Sequence, residues 1–337
     1  MTRFRCQVLP VIALISWGIA AHALAWGAAG HRLIGRVAME SLPPELPPFL
    51  RDPASARAVG ELAREPDRWK GAGRVHDSDR DPAHFLDLGD DGAILGGPAL
   101  AALPDTREGY DTALRAVGAD SWKAGWLPYS IIDGYQQLAK DFAYLRADRA
   151  GARLSKDPAH RAWLAADARQ RQGLILRDIG VLGHWVGDGS QPLHVTIHFN
   201  GWGAYPNPDG FTQAKVHGPF EGAFVHDFVS IDAVRARLKP PFDCHCSLAR
   251  RTAAYLAVTG RTVVPFYRLE KAGGFAPADP RGVAFAAERL AAGASELRDL
   301  VALAWKVSAT GEVGYPAVKI TDIEAGQDPY DALYGVD

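Results

Sequence analysis

The stretch that most limits how this chain can fold is GHWVGDGSQPLH, residues 183 to 194. From His160 to about Gly187 apolar residues return at helical spacing, so the chain enters this stretch as a helix. His184 and Asp188 stand four apart and project from one helix face. Gly189, Ser190 and Pro192 then break the helix, and His194 follows the turn, close enough to face the same point.

The same spacing recurs through Gly30 to Ser41, Ser55 to Arg64, Ile131 to Arg149, Leu248 to Leu269 and Arg281 to Val307. Strand-like alternation is scarce, and the connectors are rich in Gly, Pro and Asp. The expected fold is all-α: a single compact helical domain over residues 26–310 with long connecting loops. Residues 311–337 read as a polar C-terminal tail with scattered apolar residues. The longest loop, 198 to 216, carries Phe199, Trp202, Tyr205 and Phe211 among its glycines and prolines, which suits the wall of a substrate cleft.

Residues 1–25 read as a cleavable export signal, with a retained membrane anchor as the alternative. Arg3 and Arg5 supply the positive start, Val8 to Ala21 a short apolar core, and Ala23-Leu24-Ala25 the cleavage site. A periplasmic or secreted protein beginning at Trp26 is the expectation. Loss of Arg3 and Arg5 takes the 37 basic residues to 35 against 39 acidic, a formal charge of −4. That balance excludes a basic surface that grips long duplex nucleic acid. Cys6 leaves with the signal; Cys244 and Cys246 either pair in a tight loop or bind metal with His245.

Three further sets of residues join the helix-end pair. His217 and Glu221 repeat the four-residue spacing, EPDRWK offers Asp67, and AHFLDL offers His84 and Asp87. Imidazole and carboxylate are what zinc takes when thiolate is absent. Each pair alone is more often a surface pair or a cap. Their concurrence with the start at Trp26 carries the argument: a freed α-amine and its own carbonyl chelate a cation in a five-membered ring, with His31 just over one helical turn away. The alternative for that stretch is a buried N-terminus packed by its indole.

In these residues the chain resembles the single-strand-specific zinc nucleases of fungi and plants, whose superfamily includes the bacterial zinc phospholipase C. The resemblance rests on Trp26-Gly-x-x-Gly-His31, Asp67, His84-Phe-x-Asp87, His184-x3-Asp188-x5-His194 and His217-x3-Glu221. It implies three zinc ions at the foot of a cleft in an all-helical fold. Asp67, His84, His184 and Asp188 would hold one. His194, His217 and Glu221 would hold the second, and Trp26 with His31 the third, with Asp188 bridging two of them. It further implies that Asp87 orients or activates the attacking water and that Lys70, where the nucleases carry Arg, stabilises phosphoryl charge. Phe85 would stack a base, and Asn200 is a remnant of the family's Gly-Gly-Asn-like stretch. Three zinc ions also bring six positive charges to a small cleft, which draws in phosphate without a basic surface.

The expected activity is hydrolysis of single-stranded DNA or RNA to 5′-phosphorylated products, with a phospholipid head group as the alternative substrate and purely structural zinc as the third possibility. No stable protein partner is implied, and a monomer is expected. Glu221 stands where the nucleases have Asp and the phospholipase has Glu, whereas the long His194-to-His217 gap is as in the nucleases. His76, His160, His198, His226 and His245 match no ligand position and read as surface or satisfied core residues.

Overall fold

Three helices begin at an Asp-Pro pair, for a local reason. In the computed structural model, which describes residues 26–335, the side chains of Asp52, Asp157 and Asp279 accept from the backbone N–H of Ala54, Ala159 and Arg281. The proline that follows takes the first helical position, where its missing N–H costs nothing and its fixed φ suits the helix. The expected export signal, residues 1–25, lies outside the described residues.

The helices that frame the molecule are α1 (Gly27–Glu40), α2 (Pro53–Leu62), α3 (Leu127–Leu154) and α4 (Pro158–Ser190), then α5 (Leu248–Gly260), α6 (Val263–Lys271) and α7 (Pro280–Ser308). The fold is all-helical as expected, and its elements form one domain. The α3–α4 hairpin is its spine, and α1, α2 and α7 close around α4. Close approach falls on glycines of α4. A Cβ at Gly180 would stand 2.5 Å from Leu62 Cβ, and one at Gly183 2.9 Å from Leu297 Cδ2. Ile34, Val37, Leu182, Val186, Leu290 and Leu297 are fully buried where these helices meet. At about 25 cal/mol per Å2 of apolar surface, such burial is the main force holding the bundle.

Two expectations are corrected. The segment Leu248 to Leu269 is two helices, because the ring of Pro265 would clash with the carbonyl of Arg261 and so stops α5 before α6 begins. The C-terminal segment is a tail in composition only. Glu312–Val313 pairs antiparallel with Val318–Lys319, and short helices Ile320–Glu324 and Tyr330–Tyr334 follow. Val313, Ile320 and Ile323 are fully buried against Ala143, Ala147 and Ala150 of α3. A few apolar residues suffice here because they all meet one alanine-lined strip.

The 198–216 loop is ordered by its rings: Trp202 stacks on His198 at 3.7 Å and meets Tyr267 edge-on, while Phe199 and Tyr205 stay exposed. His198 is the satisfied core residue expected, with Nδ1 donating to Trp202 O and Nε2 against Asp90. Cys244 and Cys246 are disulfide-bonded, which closes the thiolate-metal alternative.

Asp148, on α3, is fully buried and neither carboxylate oxygen has a hydrogen-bond partner. Burial, then the neighbouring Asp167, pushes its carboxyl up to about 8. The unfolded chain loses this proton near pH 4, so between about pH 4 and 8 the folded state binds more protons and stability falls as pH rises. Asp148→Asn removes that slope. Its melting temperature relative to the parent is expected to climb between pH 4 and pH 8 by more than about 2 °C, the effect of roughly 1 kcal/mol in a large domain. Parallel melting curves across that range would refute the assignment.

Candidate metal centre

The last two turns of α4 deliver His184 and Asp188 into the interior, where both are fully buried. His184 Nδ1 donates to Ala63 O at 2.8 Å, so the lone pair of this ring is on Nε2. That Nε2 lies 3.0 Å from His84 Nδ1 and 3.3 Å from Asp188 Oδ2, and His84 Nδ1 lies 3.1 Å from the same oxygen. Asp67 Oδ1 is 3.9 Å from both rings. Asp67, His84 and His184 therefore form one group of donors that could hold a cation.

His194 ends the helical turn Pro192–His194 after α4, and its Nδ1 donates to His84 O at 2.7 Å, again leaving Nε2 as the lone-pair nitrogen. It joins His217 and Glu221 in a second group. His217 Nε2 lies 2.8 Å from Glu221 Oε2, without the alignment of a hydrogen bond. Glu221 stands in a π-helical turn, Phe220–Phe224, a widened geometry that recurs at functional sites.

His31, on α1, completes a third group with His184 and Asp188. Its ring stacks on His184 at 3.9 Å, and its Nε2 is 3.5 Å from Asp188 Oδ1. The ring has room only because residue 187 is glycine: a Cβ there would be 2.9 Å from His31 Nδ1. Trp26 is fully buried at the head of α1, its Nε1 donating to Gly187 O at 2.7 Å and lying 2.9 Å from Ser190 Oγ.

The donor set fits metal ions. Buried polar atoms nearly always have partners. Here His31 Nδ1 and Nε2, Asp188 Oδ1, His194 Nε2, His217 Nε2 and Glu221 Oε1 are buried without a hydrogen bond, and they converge on one region. Burial, with the like charge of His184, holds His31 well below the usual imidazole range, and burial likewise depresses His84, His184 and His194. The rings are thus neutral and ready to donate lone pairs. Burial and Asp67 push Asp188 well above the carboxylate range. For Glu221 burial acts upward, but His217 and His194 prevail and bring it to about 2. A metal cation here would ionise Asp188 and occupy the orphaned nitrogens.

Of the other predicted residues, Lys70 and Asn200 contact candidate ligands. Lys70 Nζ is 3.0 Å from Asp67 Oδ1. Asp87 lies outside the three donor groups, part-buried, with its carboxyl raised by burial to about 7. Phe85 is part-buried beside Gly125, and Asn200 Oδ1 accepts from His217 N at 3.3 Å, tying the long loop to a candidate ligand. Sequence reasoning gave Gln191 no role. Its Nε2 donates to Glu221 Oε2 at 3.0 Å while its Oε1 accepts from Leu193 N at 2.6 Å, so it orients a candidate ligand. Its place between Asp188 and His194 was the available signal.

No family model, curated protein or solved structure matches this chain at a significant level.

Two substitutions test the third group. Gly187→Ala presses a methyl into the His31 ring and His31→Ala deletes it, so each is expected to weaken zinc binding at least about tenfold. Competition with a chromophoric chelator measures this, with circular dichroism as the check on folding. Undiminished affinity and stoichiometry in both variants would remove His31 from the centre.

Proposed function

We propose that this chain is an exported zinc-dependent phosphodiesterase that cleaves single-stranded DNA or RNA to 5′-phosphorylated products. One observation carries the reading: three groups of imidazoles and carboxylates adjoin, with His184 and His194 held through Nδ1 and with His31, His217 and one oxygen each of Asp188 and Glu221 left without hydrogen bonds. A structural site needs one closed set of four ligands, whereas adjoining sets of three with a spare acid suit positions kept open for water and substrate.

On this reading Asp67, His84, His184 and Asp188 hold one zinc ion, and His194, His217 and Glu221 hold a second. Trp26, freed by cleavage after Ala25, would hold a third through its amine and carbonyl together with His31, and Asp188 would serve two of the sites. Zinc supplies Lewis acidity at these positions, acidifying water and offsetting charge on the phosphoryl and leaving oxygens. Asp87, its carboxyl raised by burial to about 7, would accept the proton of the attacking water, the role the resemblance implies for it. Lys70 adds a point charge beside Asp67 without the bidentate grip of Arg. The buried indole of Trp26, tied to Gly187 and Ser190, fixes the start of α1 to the rest of the site.

The purified mature protein is expected to contain about three zinc ions, and a strong chelator to abolish cleavage of single-stranded DNA. Adding one residue before Trp26 should cut turnover at least about tenfold with the fold retained, the scale of losing one supporting metal contact. Asp188→Asn should cost more, since that side chain touches two groups. Hydrolysis of phosphatidylcholine micelles in place of DNA would move the reading to a phospholipase. Zinc-loaded protein inactive on both would leave the metal structural.

A further inference from the structure

A groove of about 780 Å3 shares a wall with the metal centre but contains none of its candidate ligands. The shared wall is set by sequence neighbours: Trp69 precedes Lys70, Ala83 precedes His84, and Trp185 follows His184. The Trp185 indole meets the His84 and His184 rings edge-on at 4.8 and 5.0 Å. The volume is in the range of small-molecule and nucleotide sites.

The chemistry of the groove is specific. Its apolar surface is largely aromatic, from Trp69, Trp126, Tyr129 and Trp185. The Arg107 guanidinium lies 3.9 Å over the Trp126 ring, and Arg80 lies 5.6 Å over Trp69. Arg177 also faces Trp69 but is paired with Asp178 at 3.0 Å. Arg80 and Arg107 have neither a carboxylate nor a side-chain hydrogen bond among the described residues, and both are exposed. A guanidinium over an indole ring, without a carboxylate partner, has N–H groups left to meet phosphate oxygens. Asp79, Asp105 and Asp133 also line the groove. Carboxylates repel phosphate but accept from the exocyclic amines of bases, so the groove suits a base-bearing strand better than an acyl chain, which needs unbroken aliphatic surface.

We propose that this groove holds the nucleotides flanking the scissile phosphate, with phosphates on the edges of Arg80 and Arg107 and bases on the guanidinium–indole layers. The inference rests on the nuclease reading and adds to it a preference for longer strands.

The test compares the zinc-loaded parent with the Arg80→Gln/Arg107→Gln double variant. Three substrates are used: bis(4-nitrophenyl) phosphate, a thymidine dinucleotide and a thymidine octanucleotide. In the parent, kcat/KM is expected to rise from dinucleotide to octanucleotide. In the variant the ratio of octanucleotide to small-diester kcat/KM should fall about tenfold, through KM, as the loss of about 1.4 kcal/mol predicts. The slope of log KM against log salt for the octanucleotide should fall by about 1.4, two contacts at about 0.7 each. Arg107→Lys, which keeps charge but not the plane, should recover the salt slope and only part of the ratio. Hydrolysis of the small diester with an unaltered length ratio and salt slope in the double variant would overturn the groove and leave the phosphodiesterase standing. A parent inactive on all three substrates would overturn both. The exposed single variants Arg80→Gln and Arg107→Gln, each expected to lose about half the salt slope, serve if the double variant misfolds.

Discussion

The structure depends on keeping the end of one helix rigid inside a dry interior. The last carbonyls of any α-helix lack intrahelical partners. At the end of α4 they are met from outside. Trp26 donates to Gly187 O and Thr259 to Gly189 O, each at 2.7 Å, and Tyr255 adds a bond to Val186 O, just before the orphaned set, also at 2.7 Å. Each bond replaces water that the interior excludes, and together they tie α1 and α5 to the turn carrying His184 and Asp188. The same residues that close the core therefore aim the donors. This explains why a fully buried tryptophan stands at the head of the first helix. Its indole satisfies a carbonyl one residue before Asp188.

The cost of that arrangement is concentrated in the same place. Neutral rings pressed together and a carboxyl held above its ordinary range are unfavourable terms that helix packing must offset. Such local conflict inside an otherwise consistent fold is the pattern expected of a working site rather than a structural one. Asp148 shows the contrast. It too is buried and unsatisfied, yet no imidazole accompanies it and its carboxyl is simply pushed up by burial and Asp167. A buried carboxyl alone does not make a centre; the metal-binding groups add adjoining imidazoles, two of them held through Nδ1.

Much of this was legible in the sequence, because the governing rules are short-range. Spacing of four on a helix placed His184 with Asp188 and His217 with Glu221, and the Asp-Pro starts follow from capping alone. What was not legible depends on partners distant in sequence. Gln191 matters only because Glu221 lies opposite it, and Gly187 only because the His31 ring lies against it. The break between α5 and α6 was readable from Pro265 but hidden by apolar spacing that runs through it. The C-terminal segment was misread because its few apolar residues have no period; their order comes from the alanine strip of α3 that receives them.

On the proposed reading, charge would link the centre to its substrate. Surface fields fade within about 8 Å at physiological salt, so a chain with more acidic than basic residues cannot collect a polyanion from afar. On the proposed reading, attraction is strongest once a phosphate reaches the metal centre, where low dielectric strengthens it. A stiff duplex could reach only the exposed Arg80 and Arg107, while a flexible single strand could also lay its bases on the rings of the groove. Preference for single strands then needs no element that recognises strandedness. On that reading it would follow from cations held at depth beside Trp69 and Trp185, in a chain with slightly more acidic than basic residues.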